Sequence, residues 1–458
     1  MSFIDYEQIE SALNQPEPGS GPVREVLARA AALEGLTPEQ VALLTRVTDP
    51  GLLEELFCAA RTAKETIYGR RLVLFAPLYI SNLCKNECLY CGFRRSNTSM
   101  RRVSLSQEQI AAEVRCLTAG GHKRLLVVAG EQAGGDALGY VLDSIATIYA
   151  CREQGREIRR VNVNIAPLET NEFRQLASGR IGTYQLFQET YHPQTYASMH
   201  PAGPKSDYLR RLMTMHRAMQ AGIDDVGIGA LFGLYDWRFE LLALMQHARE
   251  LETAFGAGPH TISVPRLEPA SGSALAGRPP APVSDGDFLK LIAILRLAVP
   301  YTGIILSTRE TPEVRRAAFA LGVSQISAGS RTTPGGYGHD DGEADSQFSL
   351  GDHRSLDEVI ADIAQLGYIP SFCTACYRLG RTGCDFMDLA RPGAIKAHCD
   401  PNAIATFREY LDGFASEETR RIGLELIERH LRSLDAPVRT IARGLLDRMA
   451  AGETDVFC

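Results

Sequence analysis

The sequence predicts a parallel (β/α)8 barrel, with a helical extension before it and a second helical domain after it. Three observations carry that prediction. Eight short β-rich apolar runs recur between residues 72 and 327, and a segment with helix signals separates most of them. The 458 residues exceed an ordinary domain of about 150 and suit a large barrel with extensions. The texture of both ends is helical. A doubly wound open sheet shows the same alternation, and periodicity alone leaves it as the alternative.

In chain order, residues 1–70 read as helical: Val23 to Leu33 and Pro38 to Leu44 carry apolar residues at helix spacing. The predicted strands are LVLFAP (72–77), LLVVA (125–129), VNVNI (161–165), TYQLF (183–187), VGIGA (226–230), TISV (261–264), GIILS (303–307) and SQIS (324–327). Ser106-x-x-Gln109 is a capping box, followed by Ile110, Val114 and Leu117 on one face and Gly120-Gly121 as a stop. Thr311-Pro312-Glu313 supplies a cap, an N1 proline and an early acid for a helix to Leu321. The barrel is therefore placed at 71–333. The Gly- and Asp-rich stretch 334–353 reads as a linker, and helical texture returns at 402–412 and 416–433. Residues 334–458 form the linker and a C-terminal domain on this reading.

Composition excludes several classes. With 45% hydrophobic and 22% charged residues the chain is globular rather than disordered. Lys and Arg number 48 against 55 Asp and Glu, a net charge of −7, which disfavours broad binding to nucleic acid or an anionic membrane. No apolar run approaches the roughly 18 residues of a spanning helix, and MSFIDYEQIE lacks the apolar core of a signal peptide. A cytoplasmic location is expected.

The eleven cysteines are clustered, and an odd count without a secretion signal argues against a disulfide framework. Cys84, Cys88 and Cys91 follow the first predicted strand as Cys-x3-Cys-x2-Cys. Three thiolates at this spacing fill three corners of a 4Fe–4S cube and leave one iron open, as a catalytic metal centre requires. Tyr90 puts an aromatic ring in the same loop. Cys373, Cys376 and Cys399 form a second set, Cys-x2-Cys-x22-Cys. Their spacing is compatible with a second iron–sulfur cluster, and also with a structural zinc site completed by Cys384 or His398. Cys58, Cys116, Cys151 and Cys458 carry no pattern.

The first motif, placed after strand one of a barrel, resembles the radical S-adenosylmethionine (SAM) superfamily. That resemblance implies a 4Fe–4S cluster whose open iron chelates SAM and whose electron generates a 5′-deoxyadenosyl radical. It implies SAM contacts from Ala129-Gly130-Glu131 at the end of the second strand, Asn164 and Glu189 at the ends of the third and fourth, and Arg211, ten residues before Ala221-Gly222-Ile223. Ala129 departs from the usual Gly-Gly-Glu pattern, which matters little for backbone contacts. In Gly227-Ile228-Gly229 the backbone near Ile228 is expected to approach adenine, or simply to pack closely.

Within the superfamily, the C-terminal cysteine set and stretches such as RVNVNIAPL, GTYQLFQETYHPQTY and CTACYRLGRTG resemble the tyrosine-cleaving FeFe-hydrogenase maturases. That resemblance implies cleavage of L-tyrosine to p-cresol and dehydroglycine, then carbon monoxide and cyanide at an auxiliary 4Fe–4S cluster. An extra iron bridged by free cysteine, with His260 as its protein ligand, would take up both. It implies Arg309 and Ser327 on the substrate, a reductant such as ferredoxin or flavodoxin, and hydrogenase maturation proteins as partners. Two alternatives stay open. One is a 2-iminoacetate synthase of thiamine biosynthesis with a structural metal at its C-terminal cysteines. The other is a zinc-stabilised interaction protein without catalysis.

Overall fold

The computed structural model describes residues 2–132, 135–338, 345–390 and 394–458. Its centre is a closed parallel barrel of eight strands: β1 (Arg71–Ser81), β2 (Arg124–Ala129), β3 (Arg160–Asn164), β4 (Tyr184–Gln185), β5 (Val226–Gly229), β6 (Thr261–Ser263), β7 (Gly303–Leu306) and β8 (Gln325–Ser327). Each falls on one of the eight predicted runs. β1 pairs with β2 (Ala76 opposite Leu125) and with β8 (Val73 opposite Gln325), and this second pairing closes the ring and excludes the open sheet. The strands read as nearly continuous apolar runs because both faces are covered, by interior side chains on one and helices on the other. Ile80, Val127, Val161, Ile262 and Leu306 are fully buried.

The predicted helix signals mark real starts. Ser106 and Gln109 form a reciprocal capping box on Gln107–Ala119, and Thr311 caps Pro312–Leu321. In the N-terminal region, helices Tyr6–Leu13, Ser20–Ala30, Pro38–Thr45 and Pro50–Tyr68 wrap the outside of the barrel. The second of these stops short of Leu33, which adopts a left-handed backbone (φ 59°) that a helix cannot continue.

Beyond the barrel, a ninth strand, β9 (Ile369–Ser371), runs parallel to the N-terminal end of β1. Helices Lys396–Gly413, Glu417–Ser433 and Ala436–Ala450 follow it. β9 delivers Cys373 to the N-terminal mouth of the barrel, opposite the mouth where β1 delivers Cys84. Of the stretch 334–353, residues 339–344 lie outside the described residues, and residues 345–351 cross the C-terminal mouth.

A buried charge network anchors the end of that crossing. The Arg315 guanidinium donates to Asp352 and to the Ser327 carbonyl (2.6 Å), and Arg354 pairs with Asp352 at 2.8 Å. Removing the Asp352 carboxylate leaves a fully buried guanidinium without its anion, so Asp352→Ala is expected to cost about 3–5 kcal/mol. A fall in the urea unfolding midpoint measures it, and an unchanged midpoint would contradict the network.

Candidate active site and a second cysteine-lined cavity

After Ser81 the chain enters the loop of Cys84, Cys88 and Cys91, which backbone hydrogen bonds hold over the C-terminal mouth. Lys85 N–H donates to the Glu131 carbonyl (2.8 Å), Glu87 N–H to Ala202 (3.0 Å) and Leu89 N–H to Met199 (3.1 Å). Gly130 permits the crossing, because a Cβ there would lie 2.5 Å from the Leu83 carbonyl oxygen. Glu131 follows, accepting from Asn86 Nδ2 at 2.6 Å. Ala129-Gly130-Glu131 thus runs directly beneath the cysteine loop.

Burial pushes the Cys88 thiol up to about 12 and raises Cys91 as well. Neighbouring thiols add to this: Cys91 and Cys84 act on Cys88, and Cys84 acts on Cys91. Cys88 and Cys91, both raised, suit a cationic iron centre, which binds thiolates and releases their protons.

Beside the loop lies a cavity of about 160 Å³, lined among others by Tyr90, Cys91, Asn164, Glu189, Arg309 and Ser327. Glu189 holds a left-handed backbone (φ 73°), a strained state for a non-glycine residue that is typical of functional sites. Burial alone would raise its carboxyl, but Lys205 (2.5 Å) and Arg211 (3.3 Å) overcome this and hold it below its ordinary value. Arg211 is fixed further by donating Nε to the Phe187 carbonyl (2.8 Å), and Asn164 Nδ2 donates to Gln185 (2.7 Å). The Tyr90 hydroxyl shares a hydrogen bond with His200 Nε2 at 2.8 Å.

Arg309 is a cation of the cavity, on which the Glu268 and Glu189 carboxylates act only from a distance. Its guanidinium stacks on Phe348, 3.3 Å from the ring centroid, and reaches the Arg266 carbonyl at 3.4 Å. Among the described residues no carboxylate pairs with it, and burial lowers its pKa. A half-buried guanidinium facing a cavity is a strong site for a carboxylate. Ser327 Oγ, in the same cavity, accepts from Thr308 N–H at 3.1 Å.

At the opposite, N-terminal mouth lies a cavity of about 70 Å³. Strand-start residues Arg71, Arg124, Arg160 and Gln325 line it, with His260, Cys373, Cys376 and Cys399. A hydrogen bond from Cys376 draws the Cys399 thiol down, despite burial, and the Arg71 guanidinium adds to the effect. The same bond and burial drive Cys376 up. Arg124 donates to the Cys373 carbonyl at 2.5 Å. His260 Nδ1 stands 3.5 Å from Asp225 Oδ1, and burial lowers its pKa against the pull of Asp225. A neutral imidazole oriented by a carboxylate on one nitrogen is the usual arrangement of a metal-binding histidine.

The chain that carries these two cavities has counterparts among known proteins. Residues 78–245 match the model of the Radical SAM superfamily, and residues 263–369 match the Biotin and Thiamin Synthesis associated domain. A crystal structure of HydG, a maturase of the [FeFe]-hydrogenase, superposes with TM-score 0.96 at 48% identity over 100% of both chains. The X-ray structure of the FeFe-hydrogenase maturase HydG from Carboxydothermus hydrogenoformans gives 0.82 at 40%, over 96% of this chain and 97% of that one. The 2-iminoacetate synthase of Escherichia coli (strain K12) is 33% identical over 369 residues, 80% of this chain and 93% of the relative. The chain belongs to the radical SAM tyrosine-lyase family.

Radical SAM enzymes use a 4Fe–4S cluster and SAM, and the C-terminal mouth offers the loop of Cys84, Cys88 and Cys91 with a cavity beside it that Cys91 lines. Of the residues expected from sequence, Tyr90, Cys91, Asn164, Glu189, Arg309 and Ser327 share that cavity. Cys84, Cys88, Ala129, Gly130, Glu131 and Arg211 lie in the cysteine loop and its supports. Ile228 differs: its side chain is buried in the main hydrophobic core and it does not line the cavity, and its flanking glycines pack closely, where a Cβ would lie 2.6 Å from Thr261 Oγ1 and 2.8 Å from the Ser263 carbonyl oxygen. His260, Cys373, Cys376 and Cys399 meet at the other mouth, whereas Cys384 is exposed and does not line that cavity. The C-terminal cavity is also lined by residues that sequence reasoning passed over: Lys205, Gln347 and Phe348. Lys205 lies in the loop region after β4, and a lone lysine there carries no motif.

Proposed function

We propose that this enzyme cleaves L-tyrosine to p-cresol and dehydroglycine, and that dehydroglycine yields carbon monoxide and cyanide in the N-terminal cavity. Atoms balance in both steps: tyrosine divides into p-cresol and dehydroglycine, and dehydroglycine divides into carbon monoxide, hydrogen cyanide and water. The observation that carries the reading is the pair of cysteine triads at opposite mouths of one barrel, the second joined by His260. The similarity to HydG over the whole chain supports it, since the 2-iminoacetate synthase match spans 80%.

When bound, the first cluster supplies the electron that splits SAM and starts radical chemistry. The protein's own part is position and exclusion. The planar fork of Arg309 and the Ser327 hydroxyl hold the tyrosine carboxylate, so that one hydrogen faces the radical. Glu189, Lys205 and Arg211 form a charged wall suited to the amino and carboxylate groups of SAM. At the other mouth, Cys373, Cys376 and Cys399 would hold an auxiliary 4Fe–4S cluster, and His260 an extra iron bridged by free cysteine. That iron is cargo. It leaves with its carbonyl and cyanide ligands for the hydrogenase active site, through hydrogenase maturation proteins. A ferredoxin- or flavodoxin-type reductant in the cytoplasm supplies electrons. Among the described residues no helix is long and apolar enough to cross a membrane, and neither a membrane nor nucleic acid enters the scheme.

The test is to incubate reconstituted enzyme with SAM, a reductant and tyrosine, and to assay p-cresol and carbon monoxide together. Both should appear. p-Cresol without carbon monoxide would favour the 2-iminoacetate synthase reading, and absence of both would reject tyrosine as the substrate. Arg309→Lys keeps the charge and loses the fork. Tyrosine binding is then expected to weaken by about 1.5–3 kcal/mol, a tenfold or larger rise in KM. Unchanged KM and kcat would remove Arg309 from the substrate site.

A further inference from the structure

Composition makes residues 345–351 look like linker, yet this segment is tied to four barrel loops. Gly92 N–H donates to the Gln347 carbonyl (3.1 Å), Gln347 N–H to Thr332 (2.9 Å), Ser349 N–H to Pro269 (2.8 Å) and Gly351 N–H to Thr308 (2.9 Å). Gly92 allows the approach, because a Cβ there would meet the Ser346 carbonyl oxygen at 2.8 Å and that of Gln347 at 3.0 Å. This docking aims one side chain into the cluster loop. Gln347 Nε2 donates to Cys91 Sγ at 3.7 Å, and its Oε1 accepts from the Tyr79 hydroxyl at 2.8 Å.

The two contacts fix the amide between them. Only its nitrogen can donate to sulfur, and only its oxygen can accept from the phenol. Burial raises the Tyr79 pKa, so the phenol stays a donor. Tyr79 lies on β1, the strand that delivers the cysteine loop, and its ring packs edge-on against Phe93 at 5.8 Å. The donor is therefore held from both ends by rigid elements.

We propose that Gln347 is a positioning residue of the radical SAM centre, whose N–H···S hydrogen bond to Cys91, oriented by Tyr79, raises the reduction potential of the cluster. The inference rests on the family assignment of that cluster to Cys84, Cys88 and Cys91. Reduction adds negative charge to the cluster and its sulfurs, and a fixed donor to a ligating sulfur favours the more negative state. The next residue, Phe348, stacks on Arg309, so the strap that tunes the cluster also walls the substrate cavity.

The experiment is a redox titration of the full-length reconstituted enzyme, following the EPR signal that changes when SAM is added. That response separates the first cluster from any other. Gln347→Leu is expected to move the midpoint to more negative potential, with about a tenfold change in the oxidised-to-reduced ratio, or about 59 mV for one electron. Gln347→Glu keeps the shape and the acceptor for Tyr79, removes the N–H, and should fall at least as far. Tyr79→Phe frees the amide to turn and should give a smaller shift of the same sign. Iron and sulfide content equal to wild type confirms that each variant keeps its clusters. A midpoint unchanged in Gln347→Leu at equal iron content overturns the proposal. If that variant loses iron, unchanged midpoints in Gln347→Glu and Tyr79→Phe overturn it instead. A wild type with no reducible signal that SAM perturbs overturns the cluster assignment itself, and the proposal with it.

Discussion

Replacing Cys88 by alanine is expected to bring reductive SAM cleavage and p-cresol formation down to the uncatalysed background together. Cys88 is the most buried of the three loop thiols, packed with Tyr90, Met199 and Leu231. Cys84 and Cys91 alone offer two of the three thiolates that a SAM-binding 4Fe–4S cluster needs. Losing one sulfur from a packed loop costs only about 1 kcal/mol of apolar burial, so the barrel should still fold. Circular dichroism and a thermal melt close to wild type would show this. SAM cleavage persisting at the wild-type rate would rule out this loop as the cluster site.

The barrel was legible because its strands are short apolar runs between capped helices, and both signals are local. β9 was not: Ile369–Ser371 is three residues long with a proline at its centre, too short for any period. The strap around Gln347 was hidden for a different reason. Its role depends on backbone hydrogen bonds and single side chains, while its Gly- and Asp-rich composition is that of a linker. That Asn164, Glu189, Arg309 and Ser327 share one cavity followed from the rule that strand ends gather at the C-terminal mouth of a barrel. That rule does not reach His260, which precedes β6 and so faces the other mouth, or Asp225, 3.5 Å from its Nδ1. For the second triad the sequence showed the spacing. Only the pairing of β9 with Arg71–Val73 shows that Cys373 lies at the base of the barrel.

That separation makes the double substitution Cys376→Ala with Cys399→Ala the sharpest test of what the second cavity does. Both sulfurs lie at the N-terminal mouth, and neither touches the cavity of Tyr90, Glu189 and Arg309. Tyrosine cleavage needs only the latter, so p-cresol should continue at close to the wild-type rate. Carbon monoxide should fall by at least the roughly 10- to 100-fold that loss of a mere supporting residue causes at metal sites. Iron content should drop in parallel, by the auxiliary cluster and the extra iron together. His260→Ala should be milder: the three thiolates remain, the extra iron is lost, and p-cresol is spared again. Asp225 gives the comparison its direction, since it stands 3.5 Å from His260 Nδ1 and pairs with Arg160 at 3.3 Å. If it only neutralised Arg160, Asp225→Asn would leave iron binding at His260 intact. If it orients the imidazole, that variant should lose the extra iron as His260→Ala does. Carbon monoxide released in wild-type proportion to p-cresol by the double cysteine variant would reduce the second triad to a structural site. The two mouths of the barrel would then no longer be two steps of one reaction.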